Sequence, residues 1–381
     1  MPVRLAEICH ALDAAYPSAL AEPWDTGIGL TCGDPDASVR SVLLAVDVDP
    51  VTVAEAVDVG AQLLVTHHPL LFRPVQSVAA DTPKGRLIHR MLRHGIGHYA
   101  AHTNADRADG GVNDALAGVL GLTGVRPLQP ATGAAFDKLV VMVPRADADA
   151  LLDALGAVGA GRVGDYSHAA FRVDGVGQFR PLAGAHPAVG EVGRIEQVEE
   201  TRIDTVLPRG SRDAVIAALH SAHPYEEPGF DLTEMVRFPS AAVGLGRVGE
   251  LPAPVSATAF AELVASALPA TVTGARLAGD PHREVRTVAV CGGAGGSLLD
   301  LVAGAGVDAF VTADLSHHLA AEFVAEPHHP VLVDVAHWAS EWPWLPLAAE
   351  LLTARFGADL AVAVSSRRTD PWTARRVSDS R

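Results

Sequence analysis

Four short polar runs carry the residue types that bind metals: Thr66-His67-His68-Pro69, His102-Thr103-Asn104-Ala105-Asp106, Thr312-Ala313-Asp314 and His337-Trp338-Ala339-Ser340-Glu341. Imidazole and carboxylate donors together suit borderline divalent metals such as Zn, Fe, Mn or Co. Adjacent histidines aim at two neighbouring points if the chain turns between them, and Pro69 biases His68 towards extended backbone. A histidine and a carboxylate four residues apart share one face of a helix. His67, His68, Asp106, His337 and Glu341 thus offer five ligands, more than one open zinc site needs. That set suits two metals sharing a bridging group. His102 is left open, either as a sixth ligand or as a donor that orients Asp106.

A histidine followed by an acid is ordinarily just a polar helix start. What sets these runs apart is where they fall: each closes a short apolar run of strand type, and strand ends are where α/β sheets position functional side chains. The stretches 41–48, 62–66 and 96–103 read as strands, with helices over 51–61 and 86–95. The same grammar returns after residue 285, with strands over 287–293, 307–313 and 330–338. One offset of 246 residues relates Val42 to Val288, Gly60 to Gly306 and Thr66 to Thr312. A second offset, 235, places His102 over His337 and Asp106 over Glu341. This reads as an internal duplication, with Ala313 and Asp314 standing where the first copy has His67 and His68.

Between the halves the pattern changes. Residues 135–240 read strand, helix, two strands, helix, strand, the order of a ferredoxin-like α+β unit. The expected organisation is therefore one metal-binding domain of duplicated α/β halves, 1–134 and 241–365, interrupted by an inserted domain at 135–240. The segment 366–381, rich in turn formers and dispersed charge, is expected to be disordered. Other motifs carry less. Gly292-Gly293-Ala294-Gly295-Gly296 follows a strand but lacks both GxGxxG and the P-loop lysine, so it reads first as a tight turn. His223-Pro224-Tyr225-Glu226-Glu227-Pro228 reads as a structured turn in the insert. His317-His318 and His328-His329 read as solvated, and Cys291 as a core residue.

Composition bounds the function class. The 381 residues are 49% hydrophobic and 19% charged, which excludes a disordered chain. A net charge of −16 disfavours nucleic acid as a partner. Three widely spaced cysteines fit a reducing cytoplasm, and no apolar run long enough to span a membrane occurs.

The four runs, together with the stretch from Trp24-Asp25 to Gly29-Leu30, resemble the signature of the NIF-three-like dinuclear metal-centre family, whose bacterial members are called GTP cyclohydrolase I type II homologues. The resemblance covers about 1–130 and 240–365, and the insert resembles the PII/CutA-like domain of longer members, including the 223–228 turn. It implies that the family's metal ligands fall on His67, His68, Asp106, His337 and Glu341. It also implies two divalent ions per subunit, a toroidal homohexamer, and hydrolytic opening of a purine nucleotide ring, with GTP as the named substrate and formate released. A non-enzymatic role in metal handling or regulation stands as the alternative. Two departures are visible: Ala313 where Thr-Gly-Asp is common, and Trp338 where tyrosine is common.

Overall fold

The computed structural model describes residues 2–133 and 135–376. Contacts divide the chain into two compact units, 1–131 with 240–381, and 132–239.

The first unit is a mixed α/β body with two principal sheets. Its five-stranded sheet runs Ala361–Val364, Ser41–Ala45, Leu63–Thr66, Gly97–Ala100, Gly29–Cys32, parallel except for the last strand. Every residue of Leu63–Thr66 and Gly97–Ala100 is buried, as parallel strands are when both faces are covered. The helix Pro50–Asp58 begins where Asp49 caps it, its carboxylate accepting from the Val51 and Thr52 amides, with proline at the first position. The chain then reverses at Gly60, whose φ of +66 glycine adopts without strain. Gly306 does the same in the second half, at φ +68.

The six-stranded sheet runs Ala275–Ala278, Val331–Val335, Ala309–Ala313, Glu284–Ala294, Pro239–Ser256, Thr123–Thr132. Its first four strands repeat the order of Gly29–Cys32, Gly97–Ala100, Leu63–Thr66 and Ser41–Ala45, and in each case the edge strand is antiparallel. The ladders agree: Val42 pairs with Leu63 as Val288 pairs with Ala309. The next ladder corrects the sequence alignment by one residue. Leu63 pairs with Gly97 and Ala309 with Val331, an offset of 234 rather than 235. The helices Thr103–Arg107 and His337–Glu341 start at those counterparts. His337 therefore corresponds to Thr103, not to His102, and Glu341 to Arg107, not to Asp106. The sequence comparison had matched like side chains, whereas backbone hydrogen bonds set the register, and one residue turns a helical side chain by about 100°.

Each half also lends an edge strand to the other. Thr123–Thr132 closes the second sheet, and Ala361–Val364 pairs with Ser41–Ala45 of the first. Arg247 joins the halves from inside. It is 1% exposed and donates to both Asp114 carboxylate oxygens at 2.6 and 2.7 Å, and to the carbonyls of Gly244, Gly246 and Ala108. The tail also departs from expectation over 366–376. The Thr369 hydroxyl donates to Asp47, and Asp370 is buried, so this part of the segment lies against the first unit. Residues 377–381 lie outside the described residues.

The second unit holds strands Phe136–Pro144, Ala170–Phe179, Glu196–Pro208 and Phe230–Glu234 with helices Ala148–Ala157 and Arg212–Ala222. Its antiparallel sheet has the spatial order Phe230–Glu234, Phe136–Pro144, Glu196–Pro208, Ala170–Phe179. Leu139, Val141 and Val143 alternate inward from the central strand to meet Leu151, Leu155, Val215 and Leu219 of the helices. In the 223–228 turn both ring nitrogens of His223 are taken, Nε2 donating to the Met142 carbonyl at 2.9 Å and Nδ1 accepting from the Tyr225 amide at 3.0 Å.

Removing the Arg247 side chain takes the donor away from the half-buried Asp114 carboxylate and from four carbonyls. Arg247→Ala should cost the first unit about 1–3 kcal/mol, read as a lowered denaturant midpoint. An unchanged midpoint would show that the buried guanidinium does not join the halves.

Candidate metal centre

The strand ends and the helices after them converge on one point. His67 follows the strand Leu63–Thr66 and is fully buried, and Glu341 ends the helix His337–Glu341 at 3% exposure. His67 Nε2 lies 3.4 Å from Glu341 Oε1 and 3.7 Å from Asp106 Oδ1. His68 Nε2 lies 3.1 Å from Glu341 Oε2 and 3.3 Å from His337 Nε2, which is 2.9 Å from Glu341 Oε1. All five residues read from the sequence as ligands are thus brought together. His102 joins them: donor atoms of His67, His68 and His102 form one group within 4.8 Å, and those of His68, His337 and Glu341 form another. His68 belongs to both.

Each of the four imidazoles is held in the same way. Nδ1 of His67 donates to the Ala101 carbonyl at 2.9 Å, that of His68 to Asp47 at 2.7 Å, that of His102 to Asp25 at 3.0 Å, and that of His337 to Asp314 at 2.6 Å. Carbonyl and carboxylate oxygens only accept, so each Nδ1 carries a proton and Nε2 is the ring atom turned to the centre. Sequence reasoning missed Asp25 and Asp47 in this role and treated Asp314 only as a lost histidine. Their signal was position alone, since Asp47 and Asp314 also follow strand ends. Asp314 adopts φ +58, rare for a side chain with a Cβ, and in that conformation meets His337.

The charges are strongly perturbed. Burial, reinforced by the neighbouring Glu341 charge, pushes Asp106 up to about 7. Burial alone would also raise Glu341, but the imidazoles of His68, His337 and His67 outweigh it and hold that carboxyl well below the usual range. Burial works against charge on His337 as well, yet Glu341 and Asp314 raise it to about 9. Three polar atoms in this knot, His67 Nε2, Asp106 Oδ1 and Glu341 Oε2, are buried without a hydrogen-bond partner. Buried polar groups are rarely left so. Lone pairs converging on a common point, from nitrogen and oxygen donors, are what a divalent cation requires.

The glycine loop 292–296 is a wall of this centre. Three of its amides are occupied: Gly292 donates to Asn113 Oδ1, Gly293 to Ser340 Oγ and Gly295 to Thr312 Oγ1. Asn113 also donates to the Asp106 carbonyl, and Ser340 to that of His337, so the loop grips both ligand-bearing helices. A Cβ on Gly293 would stand 2.5 Å from Glu341 Oε1, and its φ is +66. Below the His67-His68 turn, Thr66 Oγ1 donates to the His68 carbonyl and accepts from Nε2 of the buried His98. Burial lowers His98 to about 3, so it stays neutral.

Above the cluster opens a cavity of about 1200 Å³, bordered by Trp24, Phe72, Trp338 and Trp372 and by Arg107, Arg276 and Arg375. Trp24 and Phe72 are about half exposed and flank His102, with ring centroids 6.1 and 5.9 Å from it. His317 and His318 are exposed, and Cys291 is a buried thiol raised by desolvation.

Residues 3–371 match the family described as Duf34/NIF3 (NGG1p interacting factor 3). A Mycobacterium leprae protein called GTP cyclohydrolase 1 type 2 homolog is 50% identical over 382 residues, spanning 100% of this chain and 98% of its own. The Mycobacterium tuberculosis protein of the same name is 52% identical, spanning 98% and 97%. Among solved structures, a Bacillus cereus protein related to NIF3 superposes with a TM-score of 0.73 at 35% identity, over 98% of this chain and 99% of that one. A Staphylococcus aureus protein superposes at 0.81 with 28% identity over the same shares.

The carboxylates behind the imidazoles and the glycine beside Glu341 yield a prediction. Asp47→Asn and Asp314→Asn should each weaken divalent-metal affinity by about 10–100-fold, and Gly293→Ala should lower metal content with the secondary structure retained. Metal analysis and competition with a chelator would measure both. Full metal content in all three variants would remove the cluster as a metal site.

Proposed function

The chain belongs to the Duf34/NIF3 family, and from that premise we propose that it is a metal-dependent hydrolase whose buried knot holds two divalent ions. His67, His68, Asp106, His337 and Glu341 are the ligands, and His102 extends the set on the side of His67. The carrying observation is the overlap of two three-residue donor groups at His68, with three buried donor atoms left unpartnered. Zn, Fe and Mn suit this mixed nitrogen and oxygen set. When bound, such ions supply Lewis-acid activation of water and of a substrate oxygen.

The chain's own residues prepare the rest. Asp25, Asp47 and Asp314 fix the imidazole tautomers and ring planes. The cavity joins exposed aromatic faces to arginines, a combination that suits a planar base carrying an anionic phosphate chain. A purine nucleotide is therefore the substrate class proposed, with hydrolytic ring opening as the reaction. The test is formate release from GTP by protein loaded in turn with Zn, Fe or Mn. Turnover should depend on the metal and vanish in Glu341→Gln. Saturable binding of metal and GTP with no product in any loading would leave the metal-handling reading in place.

The strand order of the second unit supports a ferredoxin-like, PII/CutA-like assignment for the insert. Its edge strand Ala170–Phe179 leaves Phe171, Val173 and Val176 exposed, a surface that natural sheets cover. We assign that cover to further copies of this chain in a homohexamer. The free state of Cys9, Cys32 and Cys291 fits a cytoplasmic setting, and no described helix is long and apolar enough to cross a membrane. Light scattering should give six chains, and Phe171→Lys with Val176→Lys should lower that mass. A monomeric wild type would remove the assembly.

A further inference from the structure

The 223–228 turn, which takes no part in the metal centre, forms one wall of a second cavity lying wholly within the insert. This cavity measures about 470 Å³, the size of a small-molecule site. Its lining is largely apolar, with Met142, Phe179 and the proline–alanine loop 181–189 facing Tyr225. Phe179 and Tyr225 meet edge to face, with centroids 5.6 Å apart.

A buried carboxylate interrupts that surface. Glu200 is 8% exposed and lines the cavity. Its Oε1 accepts from the Tyr225 hydroxyl at 2.9 Å. Among the described residues its Oε2 has no hydrogen-bond donor and the carboxylate has no ion-pair partner. The carboxylate itself fits there because residue 177 is glycine: a Cβ would stand 2.0 Å from Oε2 and 2.8 Å from Oε1. Glu226 and Glu227 also border the cavity, and no lysine, arginine or histidine does. A buried carboxylate with one neutral donor is costly unless a positive partner reaches it. Aromatic walls add attraction for that same charge.

We propose that the insert binds a small organic cation, an ammonium group on an apolar body, with the ammonium at Glu200 Oε2 and the body against Met142, Phe179 and Tyr225. The site is independent of the metal centre and of the hydrolase reading. The two failures are separable, since this site needs neither metal nor turnover.

Three matched probes test it on the full-length protein: 2-phenylethylammonium, the neutral 2-phenylethanol and the anionic phenylacetate. Calorimetry should give saturable binding of the ammonium at least tenfold tighter than of either isostere. Amide shifts should map it to Gly177, Phe179 and Tyr225. Glu200→Gln should bring the ammonium down to the level of the alcohol, and the wild-type preference and its mapping decide the matter even if that variant folds poorly. Equal affinity for the three probes, no saturable binding, or shifts confined to residues around the metal cavity would each overturn the site.

Discussion

A carboxylate buried to within 3% of completeness, Glu341, sits among three imidazoles and beside a second, partly buried acid, Asp106. Such a charge is tolerated only where opposite charge or converging donors surround it. Much of the first unit is arranged to meet that condition. The parallel strands deliver His67 and His68 to one side, the helix after the third repeated strand delivers Glu341 and His337 to the other, and the glycine loop passes close enough to Glu341 that a methyl group would not fit. Asp106 and Glu341, only a few ångströms from the same imidazole, respond in opposite directions. One is pushed towards neutrality and the other is held ionised, because the imidazoles crowd Glu341 more closely than Asp106.

The chemistry of the site was legible because it lies in residue type and in strand ends, both of which one sequence displays. Thr66-His67-His68 and His337 to Glu341 are visible as soon as the apolar runs before them are read as strands. The supporting acids were not legible. Position after a strand marks Asp47 but names no role for it, and only the folded sheet brings Asp47 to 2.7 Å from His68, or Asp25 across from residue 25 to residue 102. The repeat was legible as far as its glycines and first strands. Its last segment was aligned one residue out because similarity of side chains was allowed to stand for backbone register. The edge strands were invisible for a related reason: short runs such as Gly29–Cys32 and Ala361–Val364 have no pattern of their own and become strands only by pairing.

The duplication is also broken where it matters chemically. Asp106 and Glu341 reach the centre from non-equivalent positions of equivalent helices, and Asp314 stands where the first copy has His68. The second copy's aspartate has become the support of its own histidine, so the two halves contribute unlike sets of donors and unlike supports. A pseudo-symmetric frame thereby carries an asymmetric site, which gives a bound molecule two distinguishable ends to meet.

The exchange of edge strands has a consequence for the order in which the molecule is made. Ala361 pairs with Ser41, at opposite ends of the chain. As the ribosome extends the polypeptide, the first sheet emerges early, yet the strand Ser41–Ala45 keeps one edge open through the synthesis of everything between. The insert, whose strand pairings all lie within its own unit, has no such wait. Closure of such long-range pairs is slow because the entropy of the intervening loop must be lost before the contact is gained. The nascent chain therefore spends most of its time with a folded middle and an unfinished beginning. During that interval the sticky edge of Ser41–Ala45 is the surface a chaperone would have to shield.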